Sequence, residues 1–325
     1  MPHVLLNRLF FHLIGGCILI FAMVLLGGAT RLTQSGLSIV EWEPILGIIP
    51  PLSALDWQTL FQKYQQSPEF QFVNYTMTLE QFKPIFWMEY AHRVLGRVIG
   101  LWFLLPMLWW WRQLDSGWRQ RFVLINLWVL AQGTIGWLMV KSGLSKDPHV
   151  SHYRLALHLI TAMGLYAYIL WQALPLRFTP FPPQLWWLGI AGLAVLTITW
   201  GAFVAGLKAG LIYNSFPDMN GAWIPEEAWF LQPWWMNFLA NPVMVQFVHR
   251  VLALSTAAAI CLVGIWLWSH KVSLKKWWLV ILMAVTQVSL GVATLLSMVP
   301  ITLGVLHQGG ALAMVTAFII YARVR

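Results

Sequence analysis

Residues 89–97 read EYAHRVLGR and open a long apolar run that predicts a membrane-spanning helix. On a helix, Glu89 lies about one turn before His92 and Arg93, so these three side chains share a face. An acid, an imidazole and a guanidinium at the edge of a membrane are costly to bury. The sequence His-Arg-Val-Leu returns at 249–252, where Gln246 takes the place of Glu89. The repeat indicates two related halves that differ at one polar position.

The composition around these stretches is that of an integral membrane protein. The chain has 325 residues, of which 59% are hydrophobic and 10% are charged, whereas about 25% are charged in a soluble domain. A helix needs about 20 apolar residues to span a bilayer, and such runs are too long for the strands of a barrel. The sequence therefore predicts an all-α membrane protein with eight spans, near 9–30, 91–112, 121–141, 153–174, 185–206, 243–268, 277–297 and 302–322.

The positive charge follows the predicted topology. The net charge is +9, but the basic residues punctuate the apolar helices, which favours membrane orientation over a nucleic-acid partner. Those on the predicted inner side are Arg8, Arg112, Arg119, Arg121, Arg177, Lys271, Lys275, Lys276, Arg323 and Arg325. They predict that both termini are cytoplasmic, in a bacterial inner membrane. The short loop 141–153, which holds Lys141 and Lys146, opposes this trend.

The first span leads into a long external segment, residues 31–88, with helical character of its own. The pattern of residues 52–61, after Pro50 and Pro51, predicts an amphipathic helix. A second helix is predicted to begin at Thr78, with Gln81 as its capping-box partner. Aromatic residues in the segment suit an interfacial cap over the bundle. Membrane anchoring and a lid over a substrate are equally good interpretations.

The chain then repeats. Residues 132–136 read QGTIG and residues 287–291 read QVSLG, and His158 and His307 follow similar apolar pairs. Four spans on each side of a proline-rich segment indicate duplication of a four-helix unit. The predicted organisation is an N-terminal half, residues 1–174, a linker, residues 175–184, and a C-terminal half, residues 185–325. Because each unit has an even number of spans, we expect two pseudo-symmetric four-helix bundles with parallel orientation.

Four of the nine histidines obey this repeat. His92 and His158 in one half, and His249 and His307 in the other, all lie near the external ends of even-numbered spans. Facing histidines from two helices of a bundle are suited to hold a haem iron from both axial sides. A single membrane histidine is more often a polar contact between helices, so the prediction depends on the repeated pairing.

Arginines cluster at the same outer level: Arg93, Arg97, Arg154 and Arg250. A haem lying edge-on at that depth would direct its propionates outward, and guanidinium groups pair bidentately with carboxylates. Each of these arginines is therefore a candidate partner for a propionate. The alternative is that their side chains extend to the membrane interface.

The difference between Glu89 and Gln246 predicts different chemistry in the two halves. A carboxylate near a reactive centre can accept or donate a proton, whereas an amide cannot. This favours a reactive site in the N-terminal half, with Glu89 as its catalytic residue, and a fixed cofactor site in the C-terminal half. The alternative is that Glu89 only pairs with Arg93.

The motifs together resemble the haem A synthase family. The resemblance rests on residues 27–38 (GGATRLTQSGLS), on Glu89, His92 and Arg93, on His158, on His249 with Arg250, and on His307 with Gln308. It implies eight helices in two halves and oxidation of the haem O methyl group to the formyl group of haem A. It also implies that His249 and His307 ligate haem b as cofactor, and that His92 and His158 hold the substrate haem. Some members carry a cysteine pair in an external loop, which this chain lacks.

The same resemblance implies partners: haem O as substrate, haem O synthase and cytochrome oxidase assembly proteins, and membrane lipid. No nucleic acid is expected, and a homo-oligomer is left open. Two other protein classes compete. A di-haem electron-transfer cytochrome would use the same four histidines but gains nothing from the Glu89/Gln246 difference. A proton-coupled transporter would also have repeats. Transporter sites usually lie near the midplane of the bilayer, whereas these four histidines are predicted to lie near one surface.

Overall fold

The structure is a computed structural model that describes residues 3–43, 46–145, 149–180, 185–270 and 277–324. Its described residues form helices joined by turns, with two isolated β-bridges, which confirms the all-α prediction. Part of the predicted linker, residues 181–184, lies outside the described residues. So do five basic residues used for the orientation: Lys146, Lys271, Lys275, Lys276 and Arg325.

Eight helices in the described part are long and apolar enough to cross a membrane, which confirms the predicted number. They are α1 (His3–Leu32), α4 (Leu79–Trp110), α5 (Ser116–Gly143), α6 (His152–Ala173), α7 (Leu185–Gly206), α9 (Pro242–Ser269), α10 (Trp277–Leu296) and α11 (Ile301–Arg323). Three shorter α-helices, α2 (Ala54–Gln65), α3 (Pro68–Phe72) and α8 (Asn237–Ala240), lie between them.

The second span differs from the prediction because it is continuous with the external helix before it. α4 begins at Leu79, not near residue 91, and Thr78 and Gln81 form the predicted capping box at its start. Pro84 lies inside the helix without ending it. Pro84 is the sixth residue of the helix, and its missing N–H group leaves the carbonyl of Glu80 without an intrahelical partner, but the helix continues past it. One helix therefore carries both the external residues and the membrane residues of this part of the chain.

The chain divides into two compact units, Ile18–His158 and Pro2–Cys17 with Leu159–Arg325. The first, unit 1, contains His92 and His158, and the second, unit 2, contains His249 and His307. This division falls inside α1 and α6. The division at the linker, deduced from the repeat, remains a prediction.

Unit 1 carries a cap in which α2 packs on the start of α4. Ser53 and Asp56 form a capping box at the start of α2, so the predicted amphipathic helix is confirmed. Tyr64 and Phe82 are fully buried in the cap, and the Tyr64 and Phe82 rings stack with centroids 5.0 Å apart. The cap therefore rests on the same helix that carries Glu89 and His92.

Unit 2 has an apolar core formed by four of its long helices. Trp277 of α10 is fully buried and clusters with Ile190 of α7, Ile260 of α9 and Ala317 of α11. The Trp277 indole N–H donates to the backbone carbonyl of Ile260 over 3.2 Å, which satisfies the polar end of the ring. This core fixes α9 and α11, the helices that carry His249 and His307.

Candidate functional site

In unit 1, both predicted histidines lie against glycines on other helices. A Cβ atom placed on Gly136 of α5 would lie 3.0 Å from Cε1 of His158. A Cβ atom on Gly27 of α1 would lie 3.2 Å from Nε2 of His92. Side chains longer than glycine would meet the imidazole in both places. Each ring therefore lies in a contact between two helices, His158 of α6 against α5 and His92 of α4 against α1.

Gln132 holds the ring of His158. Its amide nitrogen donates to the backbone carbonyl of His158 over 2.7 Å and lies 3.1 Å from the ring Nδ1. The side chain thus connects the imidazole to the backbone of its own helix. Because an amide nitrogen only donates, Nδ1 of His158 is the acceptor in this contact, and the neutral ring then carries its proton on Nε2.

The histidines of unit 2 have closely similar surroundings. A Cβ atom on Gly201 of α7 would lie 2.9 Å from Cε1 of His249, and one on Gly291 of α10 would lie 2.9 Å from Cε1 of His307. His249 Nδ1 lies 3.0 Å from the backbone carbonyl of Thr197.

His307 repeats the contacts of His158. The amide nitrogen of Gln287 donates to the backbone carbonyl of His307 over 2.8 Å and lies 3.1 Å from its Nδ1.

Because a carbonyl oxygen only accepts hydrogen bonds, Nδ1 of His249 carries a proton when it bonds to Thr197. That tautomer leaves the lone pair of Nε2 for a metal.

These donor sets fit a haem iron. A porphyrin occupies four positions around its iron, so the protein needs to supply only the axial ligands, and two imidazoles are enough. Each unit offers such a pair, and in unit 2 the ring of His249 bonds to a backbone carbonyl at Nδ1, which leaves its Nε2 lone pair for an iron. Among the described residues, no cluster of three or more His, Cys, Asp or Glu side chains suits a bare metal ion.

Glu89 is buried, and its carboxylate accepts four hydrogen bonds. Oε2 accepts from the Ser38 hydroxyl over 2.7 Å and from the Ile39 backbone N–H over 2.9 Å. Oε1 accepts from Nε and Nη2 of Arg93 over 3.0 and 2.7 Å. Arg93 also donates to the backbone carbonyls of Ile39 and Glu41. Glu89 and Arg93, here called the N-terminal clamp, thus bind the loop that follows α1.

Gln246 and Arg250, here called the C-terminal clamp, bind the loop that follows α7. The amide nitrogen of Gln246 donates to the carbonyls of Ala209 and Tyr213 over 2.8 and 3.3 Å. Its amide oxygen accepts from Arg250 over 3.1 Å. Arg250 in turn donates to the carbonyls of Tyr213 and Asp218 over 2.9 and 2.8 Å. The two clamps are built alike, but the first loop presents donors to Glu89, whereas the second presents acceptors to Gln246.

The remaining predicted arginines also donate to backbone carbonyls. Arg97 donates to Glu43 over 2.8 Å and Arg154 donates to Leu138 over 2.6 Å. The structure therefore gives each of the four arginines a partner within its own unit. Their role as partners of haem propionates remains a prediction.

Sequence reasoning missed the glycines and glutamines that surround the histidines. From the sequence alone, the QGTIG and QVSLG segments indicate only that a unit is duplicated. In the structure, the glutamine and the glycine of each segment lie four residues apart and contact the same ring. The spacing alone could have indicated one shared helical face, but the partner on that face could not be read from it.

Comparison with known proteins shows the family to which the chain belongs. A model of the COX15–CtaA family, described as cytochrome oxidase assembly protein, matches residues 11–319. The chain belongs to the COX15–CtaA family. It is 46% identical over 318 residues to the Heme A synthase of Nitrosospira multiformis, covering 93% of this chain and 88% of that protein.

Other COX15–CtaA relatives are similar over comparable lengths. The human Heme A synthase COX15 is 45% identical over 315 residues, which cover 90% of this chain and 76% of the human protein. The Heme A synthase of Rhodospirillum centenum is 45% identical over 313 residues, with 91% and 82% covered. The family resemblance deduced from the motifs is confirmed, and it extends over nearly the whole chain.

Proposed function

We propose that this protein is a haem A synthase that oxidises the methyl group of haem O to the formyl group of haem A by successive hydroxylation, with haem b as cofactor. The observation that carries the proposal is the pair of histidines in each unit, each with its ring against a glycine of another helix, within a chain whose relatives are named Heme A synthase. Such a protein is an oxidoreductase acting on a carbon–hydrogen bond of its substrate.

The proposed roles follow the difference between the units. His92 and His158 would hold the substrate haem in unit 1, and His249 and His307 would ligate haem b in unit 2. A bound haem b would supply a one-electron redox centre for the reaction. The Nδ1 contact of His249 supports its assignment as a fixed ligand, because the tautomer that bonds to the Thr197 carbonyl keeps a lone pair on Nε2.

Conversion of a methyl group to a formyl group adds one oxygen atom. If that atom is counted as entering from water, the reaction releases four electrons and four protons. Two hydroxylations of the same carbon give a hydrated aldehyde, which loses water to form the formyl group. Glu89 would accept protons released at this carbon or stabilise positive charge that develops there. The burial of Glu89, about one helical turn from His92 on α4, supports this proposal. Arg93, Arg97, Arg154 and Arg250 are the proposed partners of haem propionates, because guanidinium groups pair bidentately with carboxylates.

Identification of the haems extracted from cells that produce the protein tests the function directly. The chain would be produced in cells that make haem O but no haem A, and the extracted haems would be separated by chromatography. We expect haem A, with haem b in the purified protein. Haem b without haem A would favour a di-haem electron-transfer cytochrome, and a purified protein with no haem absorption would favour a transporter.

The proposed cellular setting is a bacterial inner membrane, in which the protein spans the bilayer several times with both termini in the cytoplasm. The expected partners are membrane lipid, haem O synthase and cytochrome oxidase assembly proteins, and a second copy of the chain remains open. A reporter fused after Arg325 should be active only if that reporter works in the cytoplasm, because the basic residues follow the even-numbered spans. Activity of a periplasmic reporter at that position would contradict the orientation.

A further inference from the structure

The ring of His249 is bound at Nδ1 by the helix that faces it. Its Nδ1 lies 3.0 Å from the backbone carbonyl of Thr197 on α7. A Cβ atom on Gly201, about one turn later on α7, would lie 2.9 Å from Cε1 of the same ring and 3.4 Å from Nδ1. The missing side chain at Gly201 thus lets the imidazole reach the Thr197 carbonyl. The proton on Nδ1 leaves Nε2 as the nitrogen that can bind a metal.

Thr197 makes a second contact with α9 through its side chain. Its hydroxyl oxygen lies 2.8 Å from that of Thr256, which is buried on α9. Each hydroxyl also lies near a carbonyl of its own helix, Leu193 at 2.8 Å and Leu252 at 2.7 Å. Two hydroxyl oxygens at such a distance share a proton, so one of them donates to the other. A hydrogen bond therefore joins α7 to α9 at this level.

The two contacts of Thr197 lie on one face of α9. Thr256 follows His249 by seven residues, or two turns, and residues at that spacing differ in direction by only about 20°. A hydrogen bond between threonine hydroxyls restrains the separation and the register of two membrane helices. Because the carbonyl belongs to the residue that carries one of these hydroxyls, the hydroxyl pair sets the distance between the carbonyl and the His249 ring.

The equivalent positions of unit 1 carry no hydroxyl groups. Met23 takes the place of Thr197, four residues before the glycine that meets the ring, and Ile99 takes the place of Thr256, seven residues after the histidine. Neither side chain can donate a hydrogen bond. A Cβ atom on the glycine of unit 1 would lie nearest to Nε2 of His92, at 3.2 Å, whereas in unit 2 the nearest atom is Cε1. The two units therefore hold their first histidines by different edges of the ring.

We propose that Thr197 and Thr256 are positioning residues that set the contact between the Thr197 carbonyl and His249, and so make unit 2 the unit that keeps its haem. The proposal rests on the proposed function, because it takes His249 as an axial ligand of haem b. A hydrogen bond from the far nitrogen of a ligating imidazole fixes the tautomer and the orientation of the ring. Unit 1, without the hydroxyl pair, holds its haem less firmly, as expected for a site that exchanges substrate for product.

The test compares Thr256→Val and Thr197→Val with Thr199→Val in the purified full-length protein. Valine keeps the branched shape of threonine but removes the hydroxyl. Thr199 is the matched control, because it also lies on α7 and its hydroxyl donates to the carbonyl of Val195 over 2.7 Å. We expect each of the first two variants to release haem b to apomyoglobin about 10-fold faster and to shift the g values of its low-spin electron paramagnetic resonance spectrum. Thr199→Val should match the wild type.

Thr256→Ser separates the hydroxyl from packing, because serine keeps the hydroxyl and loses the methyl group. We expect this variant to release haem b as slowly as the wild type. The double variant with valine at both positions should release haem b no faster than either single variant, because the two hydroxyls form one bond. Thr197→Val alone decides the result if Thr256→Val does not yield folded protein. Wild-type release and g values in the valine variants, or an equal change in Thr199→Val, would overturn the positioning role.

His249→Ala tests the proposed function on which this role rests. Loss of haem b from His249→Ala, together with wild-type behaviour of Thr197→Val and Thr256→Val, overturns the positioning role and leaves the proposed function standing. An unchanged haem b content and spectrum in His249→Ala shows that His249 is not a ligand, and then the ligand assignment fails together with the positioning role.

Discussion

The starts of α4 and α9 have the same construction but opposite hydrogen-bond polarity. In unit 1, the loop after α1 offers the Ser38 hydroxyl and the Ile39 N–H, and a carboxylate accepts both. In unit 2, the loop after α7 offers the carbonyls of Ala209 and Tyr213, and the amide of Gln246 donates to both. The Glu/Gln difference therefore has a structural counterpart, because each side chain complements the loop it meets.

This comparison changes how the asymmetry is interpreted. From the sequence, the carboxylate indicated proton chemistry, and pairing with Arg93 was its structural alternative. The structure shows the ion pair with Arg93, with Nη2 2.7 Å from Oε1, and adds two hydrogen bonds to the loop. A buried carboxylate with several donors is well stabilised in place. The variants below separate a role in holding the loop from a role in the proposed reaction.

The largest expected effect is on haem b, from His249→Ala or His307→Ala. Each change removes one proposed axial ligand, so we expect loss of most bound haem b from the purified protein. Insertion should persist, because it depends on the hydrophobicity of the spans. Absorption spectra and haem content of the two variants provide the measurement. Wild-type haem content with an unchanged low-spin spectrum in both would contradict the assignment.

Glu89→Gln is expected to have the next largest effect. It keeps the size of the side chain and removes its titratable proton, so conversion of haem O to haem A should fall by at least roughly a hundredfold, as for loss of a general acid–base group. Haem b should remain bound in unit 2. Chromatography of extracted haems measures the conversion, and accumulation of haem O or of a partly oxidised haem is expected.

The loop contact needs its own control, because an amide at position 89 also faces the Ser38 and Ile39 donors. Ser38→Ala removes one hydrogen bond to the carboxylate but leaves the carboxylate itself. We expect a much smaller fall in haem A formation than for Glu89→Gln. Equal falls in the two variants would assign the effect to the loop. Near-normal haem A from Glu89→Gln would leave Glu89 as a structural partner of Arg93.

Gln246→Glu reverses the comparison in unit 2. A carboxylate there keeps an acceptor for Arg250, but its second oxygen faces the carbonyls of Ala209 and Tyr213 and cannot donate to them. Loss of these bonds should cost about 1–3 kcal/mol locally, and hydrogen exchange of residues 209–218 should accelerate. Haem A formation should change less than in Glu89→Gln. Unchanged exchange in this loop would show that the hydrogen-bond polarity does not matter for its attachment.

The smallest effects are expected from Gly201→Ala and Gly27→Ala, which test the surroundings of the first histidine in each unit. The added methyl group would lie 2.9 Å from Cε1 of His249 in one case and 3.2 Å from Nε2 of His92 in the other. Overpacking of this kind typically costs about 1–3 kcal/mol. We expect Gly201→Ala to shift the spectrum of haem b. Gly27→Ala should leave that spectrum unchanged and lower only haem A formation.

Much of the fold was determined by the sequence itself. Long apolar runs define eight spans, because a bilayer leaves backbone groups no partner except within a helix. The capping boxes at Ser53 and Thr78 can be recognised in the sequence, because each joins two residues that are three positions apart. The four histidines were found because they repeat in order along the chain. The continuity of α4 was missed, because the external and apolar parts were assigned by their different compositions.

Only the tertiary structure decided what surrounds those histidines. The sequence could not place Gly136 against His158, nor Gly201 against His249, because these contacts join helices that are distant along the chain. It suggested haem propionates for Arg93 and Arg250 and could not foresee the loop carbonyls that they contact. Charge and hydropathy report what a residue needs, but the backbone groups that satisfy the need are fixed by packing between helices. For the same reason, Gln246 and Glu89 could be aligned from sequence, while the reason for their difference emerged from the loops they meet.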